Sequence, residues 1–537
     1  MQTAQLTLPG VLRAAATRFA GNDAVIDGDV RISHTQLHAK VQETARSLVG
    51  LGLGRGDRVC IWAPNSWQWE VTALAVTYAG GILVPVNTRY TGHEAVDVIG
   101  RTQARVVVVA DGFLGRKRYD ELVNAAGQDG LPDVRAVIRL PHPDSSAGTP
   151  PETPASPQTN RVIDWPDLDT HAAGTPLDEV EARADAVRPD DIADILFTSG
   201  TTGRSKGACS LHRQVVSVGQ VWAECGEVSS SDRYLVVNPF FHSFGYKAGI
   251  VVCLLTGATV VPQSVFDVDE TLRMVAEEKI TVLPGAPAIY QALLEAERRG
   301  EFDLSSLRLA VTGAATVPVA LVERMQTELG LETVLTAYGL TEAVVATMCR
   351  PGDDDALVAS SCGRAAGLEV RIAKPGGNEP LPAGEEGEVL LRGDNVMVGY
   401  LDDQAATDEA IDPDGWLHTG DVGRLDENNY LKITDRLKDV FIVGGFNVYP
   451  AEVEQVLARL DGVVESAVVG VPNERLGEVG KVFVVRRAGS ALDEDAVRSY
   501  AKERLANFKV PRVIEFIDDL PRNPSGKVLK RELRSSA

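Results

Sequence analysis

"FTSGTTGRSKG", residues 197–207, holds three glycines, five hydroxyl side chains, an arginine and a lysine, directly behind the apolar run "ADILF" at 193–197. A buried strand opening into such a segment suits an anion. Glycines let the backbone approach closely, and successive N–H groups in a turn form an anion-binding concavity. Lys206 adds a positive charge. The order G-T-T-G-R-S-K-G is not G-x-x-x-x-G-K-[ST], so a Walker-type loop is excluded. A flexible surface turn is the plain alternative, and the length and hydroxyl density weigh against it.

The chain has 537 residues, too many for one core, which predicts a large layered body and at least one smaller domain. Its net charge of −22 repels nucleic acid and anionic membrane surfaces. The charge is uneven: residues 437–537 carry 16 Lys and Arg against 15 Asp and Glu, and the preceding 436 residues carry 37 against 60. This predicts two domains, the second tolerant of an anionic ligand. "MQTAQLTLPGVLRAAATRFAG" (1–21) lacks the apolar core of a secretion signal and reads as an amphipathic surface helix. "AGIVVCLLTGATVVPQSVF" (248–266) is interrupted by Gly and Pro, so it reads as buried helix plus strand and no stable membrane insertion is expected. The six cysteines are scattered, which argues against disulfides or a zinc site and for a reduced cytoplasm.

Residues 22–140 alternate strand-like and helical runs: "DRVCIWAPN" (57–65), "SWQWEVTALAVTYAGG" (66–81), "ILVPVN" (82–87). That pattern predicts βαβ units and a largely parallel sheet. Residues 141–160 are Pro-, Ser- and Thr-rich and cannot build a core. A second alternating region spans about 190–350. Over about 365–435 the texture changes to short strands with Gly and Asp turns, "LEVRIAK", "GEVLLRG" and "YLKITD", a small β-rich subdomain. The fold class predicted is α/β: a body over 1–436 of stacked, mainly parallel sheets, then a mobile α+β domain over 437–537.

Five further stretches stand beside the glycine-rich loop in a familiar order: "NPFFHSFG" (238–245), "LTAYGLTE" (335–342), "GWLHTGD" (415–421), "ITDRLKDVFIVGGFNVYPAEVE" (433–454) and "PRNPSGKVLKREL" (521–533). Together they resemble the adenylate-forming superfamily: acyl-CoA synthetases, luciferases and peptide-synthetase adenylation domains. The six motifs span nearly the whole chain. Ser205 stands where that family usually has proline, and the expectation is a looser turn with its donors kept.

The resemblance implies ATP, Mg²⁺ and coenzyme A as cofactor and co-substrates, with a small-molecule carboxylic acid as partner. Adenylation attacks the α-phosphate of ATP with a carboxylate and expels pyrophosphate. Two anions must meet, so the site has to supply positive charge and hold them in line. Thr198, Ser199, Gly200, Thr201, Thr202, Gly203 and Lys206 are the implied cradle of the β- and γ-phosphates. Mg²⁺ takes few protein carboxylates; Glu342 beside Thr341 fits, with Thr201 as a second contact. On position alone Glu342 reads equally as an exposed acid at a helix N-terminus. Thr336, Ala337, Tyr338, Gly339, Leu340 and Thr341 are the implied adenine segment, Tyr338 offering a ring face or packing in the core. Gly313, Ala314 and Ala315 of "VTGAAT" (311–316) are the implied turn along the nucleotide. Asp421 suits ribose hydroxyls, although alone it reads as a turn aspartate, and Arg436 suits ribose or phosphate.

The small domain is implied to deliver Lys527 to the α-phosphate and then to rotate about Lys438, admitting a thiol past Gly444 and Gly445. Both lysines also read as ordinary solvated side chains. Catalytic roles are expected for Lys527, Glu342, Thr341, Lys206 and His242. The acyl pocket is expected from "FFHSFGYKAG" (240–249), "LPGAPAIY" (283–290) and the "VTGAAT" strand, with His242, Phe244 and Tyr290 bulky and Gly285 and Ala286 small. No carrier or condensation domain follows, so CoA is the expected acceptor. Finer resemblance, in residues 65–91, 238–250 and 312–326, is to actinobacterial acyl-CoA synthetases of sterol catabolism. It implies the propanoate side chain of the bicyclic indanedione left from steroid rings C and D. Alternatives are a medium- or long-chain fatty acyl-CoA synthetase and a catalytically silent binding protein. A homodimer is a further expectation.

Overall fold

The computed structural model describes residues 6–127, 130–141, 161–198, 205–313, 317, 319–437, 439–443, 446–473, 475–505, 507–522 and 528–535. The alternating first region builds an eight-stranded sheet. Its parallel part runs in space through Ile192–Phe197, Ile82–Pro85, Arg58–Trp62, Val106–Ala110, Ala136–Leu140 and Arg161–Asp164. The Val106–Ala110 strand, "VVVVA", is buried along its whole length, as a parallel strand covered on both faces must be. Gly207–Leu211 pairs antiparallel to Ile192–Phe197, so the chain reverses through the glycine-rich loop instead of crossing over a helix.

A second sheet layer contains Arg233–Val236, Thr259–Pro262 and Asp23–Asp27 in parallel, and Leu309–Gly313 beside Thr333–Leu340, also in parallel. Between the layers lies the helix Trp67–Tyr78, buried from Trp69 to Tyr78. Its polar and apolar residues have no amphipathic order because the helix is covered all round. The 248–266 segment is helix then strand, as expected: a π-helical turn Tyr246–Val251, the helix Val252–Thr256 and the strand Thr259–Pro262. The N-terminal helix runs Leu8–Arg18, capped by Thr7. All six cysteines are free. Among the described residues no helix is long and apolar enough to cross a membrane.

One buried ion pair lies beneath the loop. Lys247 Nζ, on the π-helical turn, is 3.1 Å from Asp194 Oδ1 and donates to Ser210 Oγ at 2.7 Å. Asp194 and Ser210 sit on the two strands that carry the loop. Burial pushes the Asp194 carboxyl up and Lys247 opposes that shift. Such a pair costs desolvation, but it fixes both loop strands to the helix behind them.

Glu369–Ala373, Gly387–Arg392, Leu417–Leu425 and Leu431–Arg436 form an antiparallel sheet. Beyond it, Phe441–Val443, Phe446–Val448, Val463–Asn473, Gly477–Arg486 and Val513–Ile517 make a five-stranded sheet. Helices Pro450–Leu457 and Glu494–Arg504 pack on it around a separate apolar cluster that includes Val453, Leu457, Val482, Val484 and Val497.

Candidate active site

The mouth of the glycine-rich loop is built by one backbone contact, which extends the strand pair, and one contact from backbone to side chain. Thr198 N–H donates to the Lys206 carbonyl at 2.8 Å, and Lys206 N–H donates to Thr198 Oγ1 at 3.4 Å. Between these posts, Ser199, Gly200, Thr201, Thr202 and Gly203 lie outside the described residues. Ser205, at the described edge of the loop, is tethered. Arg101 Nη1 donates to its carbonyl at 2.7 Å, and its side chain hydrogen-bonds the Tyr90 phenol. The Arg101 guanidinium also lies 5.0 Å over the Phe197 ring.

Glu342 is not at a helix N-terminus. It lies at the tip of a β-hairpin, Thr333–Leu340 against Ala343–Met348, with Tyr338 opposite Thr347 and Leu340 opposite Ala343. The β-branched run after it, "AVVATM", favours strand over helix. A bulge separates those two pairs, and within it Val345 takes φ 57°, which a β-branched residue adopts only when its surroundings hold it there. Bulges beside active sites re-aim side chains. On the other flank Gly313 pairs in parallel with Ala337. A Cβ at Gly313 would meet the Ala337 oxygen at 2.3 Å, so this approach requires glycine. Thr336 faces inward: its Oγ1 lies 2.9 Å from both the Val358 and the Ser361 carbonyl oxygens, so its hydroxyl is spent within the fold.

Two side-chain clusters hang from this hairpin. In the first, Asp421 stands opposite Arg436 across adjacent strands. The Tyr338 hydroxyl donates to Asp421 Oδ2 at 2.6 Å, and Arg436 Nε lies 3.1 Å from Oδ1. Burial, with the Asp421 charge beside it, raises the Tyr338 phenol well above its ordinary value, so it remains a donor. In the second, the Tyr400 hydroxyl donates to Glu342 Oε1 at 2.8 Å while Lys206 Nζ stands 4.9 Å over the Tyr400 ring. Tyr400 was missed by sequence reasoning. "VMVGYL" (396–401) signals a short strand, but nothing local says which strand it joins.

His242 lines a cleft with Asn87, Tyr90, Phe197, Phe241, Ser243 and Thr341. Its Nδ1 accepts from the Phe244 N–H at 3.1 Å, so the neutral ring carries its proton on Nε2. Solvent reaches the ring through the cleft, yet protein surrounds it, and this burial lowers its pKa to about 4. The histidine is half charged at that value and almost wholly neutral above pH 5.5. His242→Gln should therefore change kcat/KM by a constant factor between pH 5.5 and 8, and an acid limb lost with the substitution would contradict this. The segments expected around the acyl group are neighbours. Asn238 Nδ2 donates to the Pro284 carbonyl at 3.0 Å, and Gly285 N–H to the Val311 carbonyl at 3.0 Å. Tyr290, however, is not a lining residue. It is fully buried, and its hydroxyl donates to the Leu283 carbonyl at 2.6 Å, because its helix turns that side chain into the apolar cluster behind.

Ala314, Ala315, Lys438, Gly444, Gly445 and Lys527 lie outside the described residues. What flanks them is described. Leu437 N–H donates to the Gly420 carbonyl at 2.8 Å. The last helix, Lys530–Ser535, folds back beside this joint: Lys530 Nζ is 2.8 Å from Glu454 Oε1 and Arg534 Nη2 is 3.1 Å from Asp439 Oδ1. Burial pushes the Asp435 carboxyl up to about 6, with Lys530 opposing.

The family model of AMP-binding enzymes matches residues 12–401, and that of the AMP-binding enzyme C-terminal domain matches residues 452–527. The chain belongs to the AMP-binding enzyme family. Within that family it is 55% identical, over 98% of both chains, to a 3-[(3aS,4S,7aS)-7a-methyl-1,5-dioxo-octahydro-1H-inden-4-yl]propanoyl:CoA ligase of Rhodococcus jostii. It is 54% identical, again over 98% of each, to the ligase of the same name from Mycobacterium tuberculosis. Among solved AMP-binding relatives, ATP-bound MatB from Rhodopseudomonas palustris superposes with a TM-score of 0.83 at 31% identity, covering 99% of each chain. The anthranilate CoA ligase AuaEII with anthranoyl-AMP gives 0.86 at 26% identity, covering 99% of this chain and 97% of that one.

Proposed function

We propose that this AMP-forming acid–CoA ligase activates the propanoate side chain of the 7a-methyl-1,5-dioxo-octahydroindene bicycle, a step of sterol ring degradation in the cytoplasm. The observation that carries the substrate is the 55% identity, sustained over 98% of both chains, to a ligase of that name. The chemistry is that of an AMP-forming acid–CoA ligase. The substrate carboxylate attacks the α-phosphorus of ATP, the bond to the β-phosphate oxygen breaks, and pyrophosphate leaves. CoA thiolate then attacks the acyl carbon of the adenylate, and AMP departs.

In this reading Asp421, held by Tyr338 and Arg436, accepts from the ribose hydroxyls, and the Tyr338 ring flanks adenine. Thr198, Lys206 and the loop between them receive the β- and γ-phosphates. Gly313, Ala314 and Ala315 follow the nucleotide, and Thr341 and His242 border the reacting groups. Glu342 would hold the Mg²⁺ that accompanies ATP. Among the described residues no group of three or more His, Cys, Asp and Glu could hold a metal ion. The single half-buried carboxylate of Glu342, beside the loop, suits an ion whose remaining ligands are phosphates and water. When bound, the ion neutralises phosphate charge. Residues 1–436 form the body and 437–537 the domain that turns at Lys438, bringing Lys527 for the first half-reaction and Gly444 and Gly445 for the second.

The test is an acid panel in a pyrophosphate-release assay. The specificity constant for the bicyclic propanoate should exceed that for any straight-chain acid by at least about tenfold, since each pocket contact is worth roughly 1–3 kcal/mol. Preference for octanoate or palmitate would reject the substrate.

A further inference from the structure

We infer that Tyr400 is a positioning residue for adenylation, a spacer that keeps the Glu342 carboxylate and the Lys206 ammonium apart while satisfying both. This rests on the reading of Glu342 as the Mg²⁺-facing carboxylate and Lys206 as a phosphate ligand. The two residues approach from different elements, the hairpin tip and the stem of the glycine-rich loop. Direct pairing would cancel the charges that Mg²⁺ and phosphate each need. Tyr400 prevents it with its two unlike faces. Its hydroxyl donates to Glu342 Oε1 at 2.8 Å, and its ring face lies beneath Lys206 Nζ at 4.9 Å. A hydrogen bond to a carboxylate and a cation over an aromatic face are both favourable without charge neutralisation.

The backbone around Tyr400 is fastened to both elements. Met397 N–H donates to the Glu342 carbonyl at 2.7 Å, Val398 N–H to the Cys209 carbonyl at 2.9 Å, and Leu401 N–H to the Gly207 carbonyl at 2.8 Å. Val396 bridges Ala343, and Tyr400 pairs with Ala208. A run of six residues thus ties the hairpin tip to the loop stem, with Tyr400 between their charged groups.

The experiment compares full-length Tyr400→Phe, Tyr400→Leu, Glu342→Gln and the Tyr400→Phe/Glu342→Gln pair. Mn²⁺ binding to the enzyme with ATP is read by electron paramagnetic resonance, adenylation by pyrophosphate exchange, and thioester formation from supplied acyl-adenylate. Tyr400→Phe keeps the ring and should weaken Mn²⁺ binding and slow adenylation about tenfold each, leaving thioester formation unchanged. Tyr400→Leu should in addition raise the KM for ATP. The double variant should be no worse than Glu342→Gln alone, because one group acts through the other. Wild-type Mn²⁺ affinity in Tyr400→Phe, additive losses in the double variant, or equal slowing of both half-reactions would overturn the inference. If Glu342→Gln leaves Mn²⁺ binding unchanged, the reading of Glu342 fails and the Tyr400 role falls with it. A shift in Glu342→Gln with none in Tyr400→Phe rejects the Tyr400 role alone.

Discussion

Lys527→Ala is expected to slow acyl-adenylate formation about 10²- to 10³-fold, the usual cost of losing one positioned electrostatic stabiliser, while supplied acyl-adenylate and CoA still give thioester at near the wild-type rate. In the proposed cycle Lys527 neutralises charge building on the α-phosphate and orients the carboxylate. A compact point charge on a flexible stem suits that task. Once the adenylate exists, the small domain has turned and the lysine has left. Its segment is stemmed by the Arg522–Val528 bridge and followed by the helix whose Lys530 and Arg534 pair with Glu454 and Asp439, both on the C-terminal side of the joint. Lys438→Pro should do the reverse, because proline fixes φ near −65° and stiffens the turn: adenylate accumulates and thioester does not. Single-turnover kinetics of each half-reaction reads both variants. Equal slowing of both halves by both variants would reject the two-conformation cycle.

Glu342→Ala should depress adenylation by about 10²- to 10³-fold at saturating Mg·ATP. The fold should survive, since Glu342 lies at a hairpin tip whose register is set by the Tyr338–Thr347 and Leu340–Ala343 pairs and not by the carboxylate. The loss should be confined to the first half-reaction. Full turnover in the variant would remove Glu342 from the site, and a collapsed melting temperature would assign it to the hairpin instead.

Much of this architecture was legible because parallel strands announce themselves. "VVVVA" at 106–110 and "RVCIW" at 58–62 cannot face water on either side. The buried strand that leads into the glycine-rich loop was legible in the apolar run "ADILF" at 193–197. The hairpin at 333–348 was not, because "GLTE" is compatible with a helix start, and only pairing with distant strands decides the matter. Tyr290 misled for a similar reason: a bulky residue in a pocket-like segment gives no sign of which side of its helix is covered. The tether on Ser205 was invisible, since Arg101 lies 104 positions away. Tyr400 was missed because its importance is a matter of what its strand lies beside.

That placement has a consequence for modularity. The antiparallel sheet spanning Glu369 to Arg436 looks like a cassette, yet its connecting segment leaves it at Val396 and joins the large sheet as the edge strand Gly399–Tyr400. An exchange of this cassette between related chains would carry off the tyrosine between Glu342 and Lys206 while leaving both partners behind. Grafts cut at the sheet boundaries would therefore mix two versions of one adenylation site. Inheritance of the 395–401 segment should track the origin of the glycine-rich loop more closely than that of the strands on either side of it.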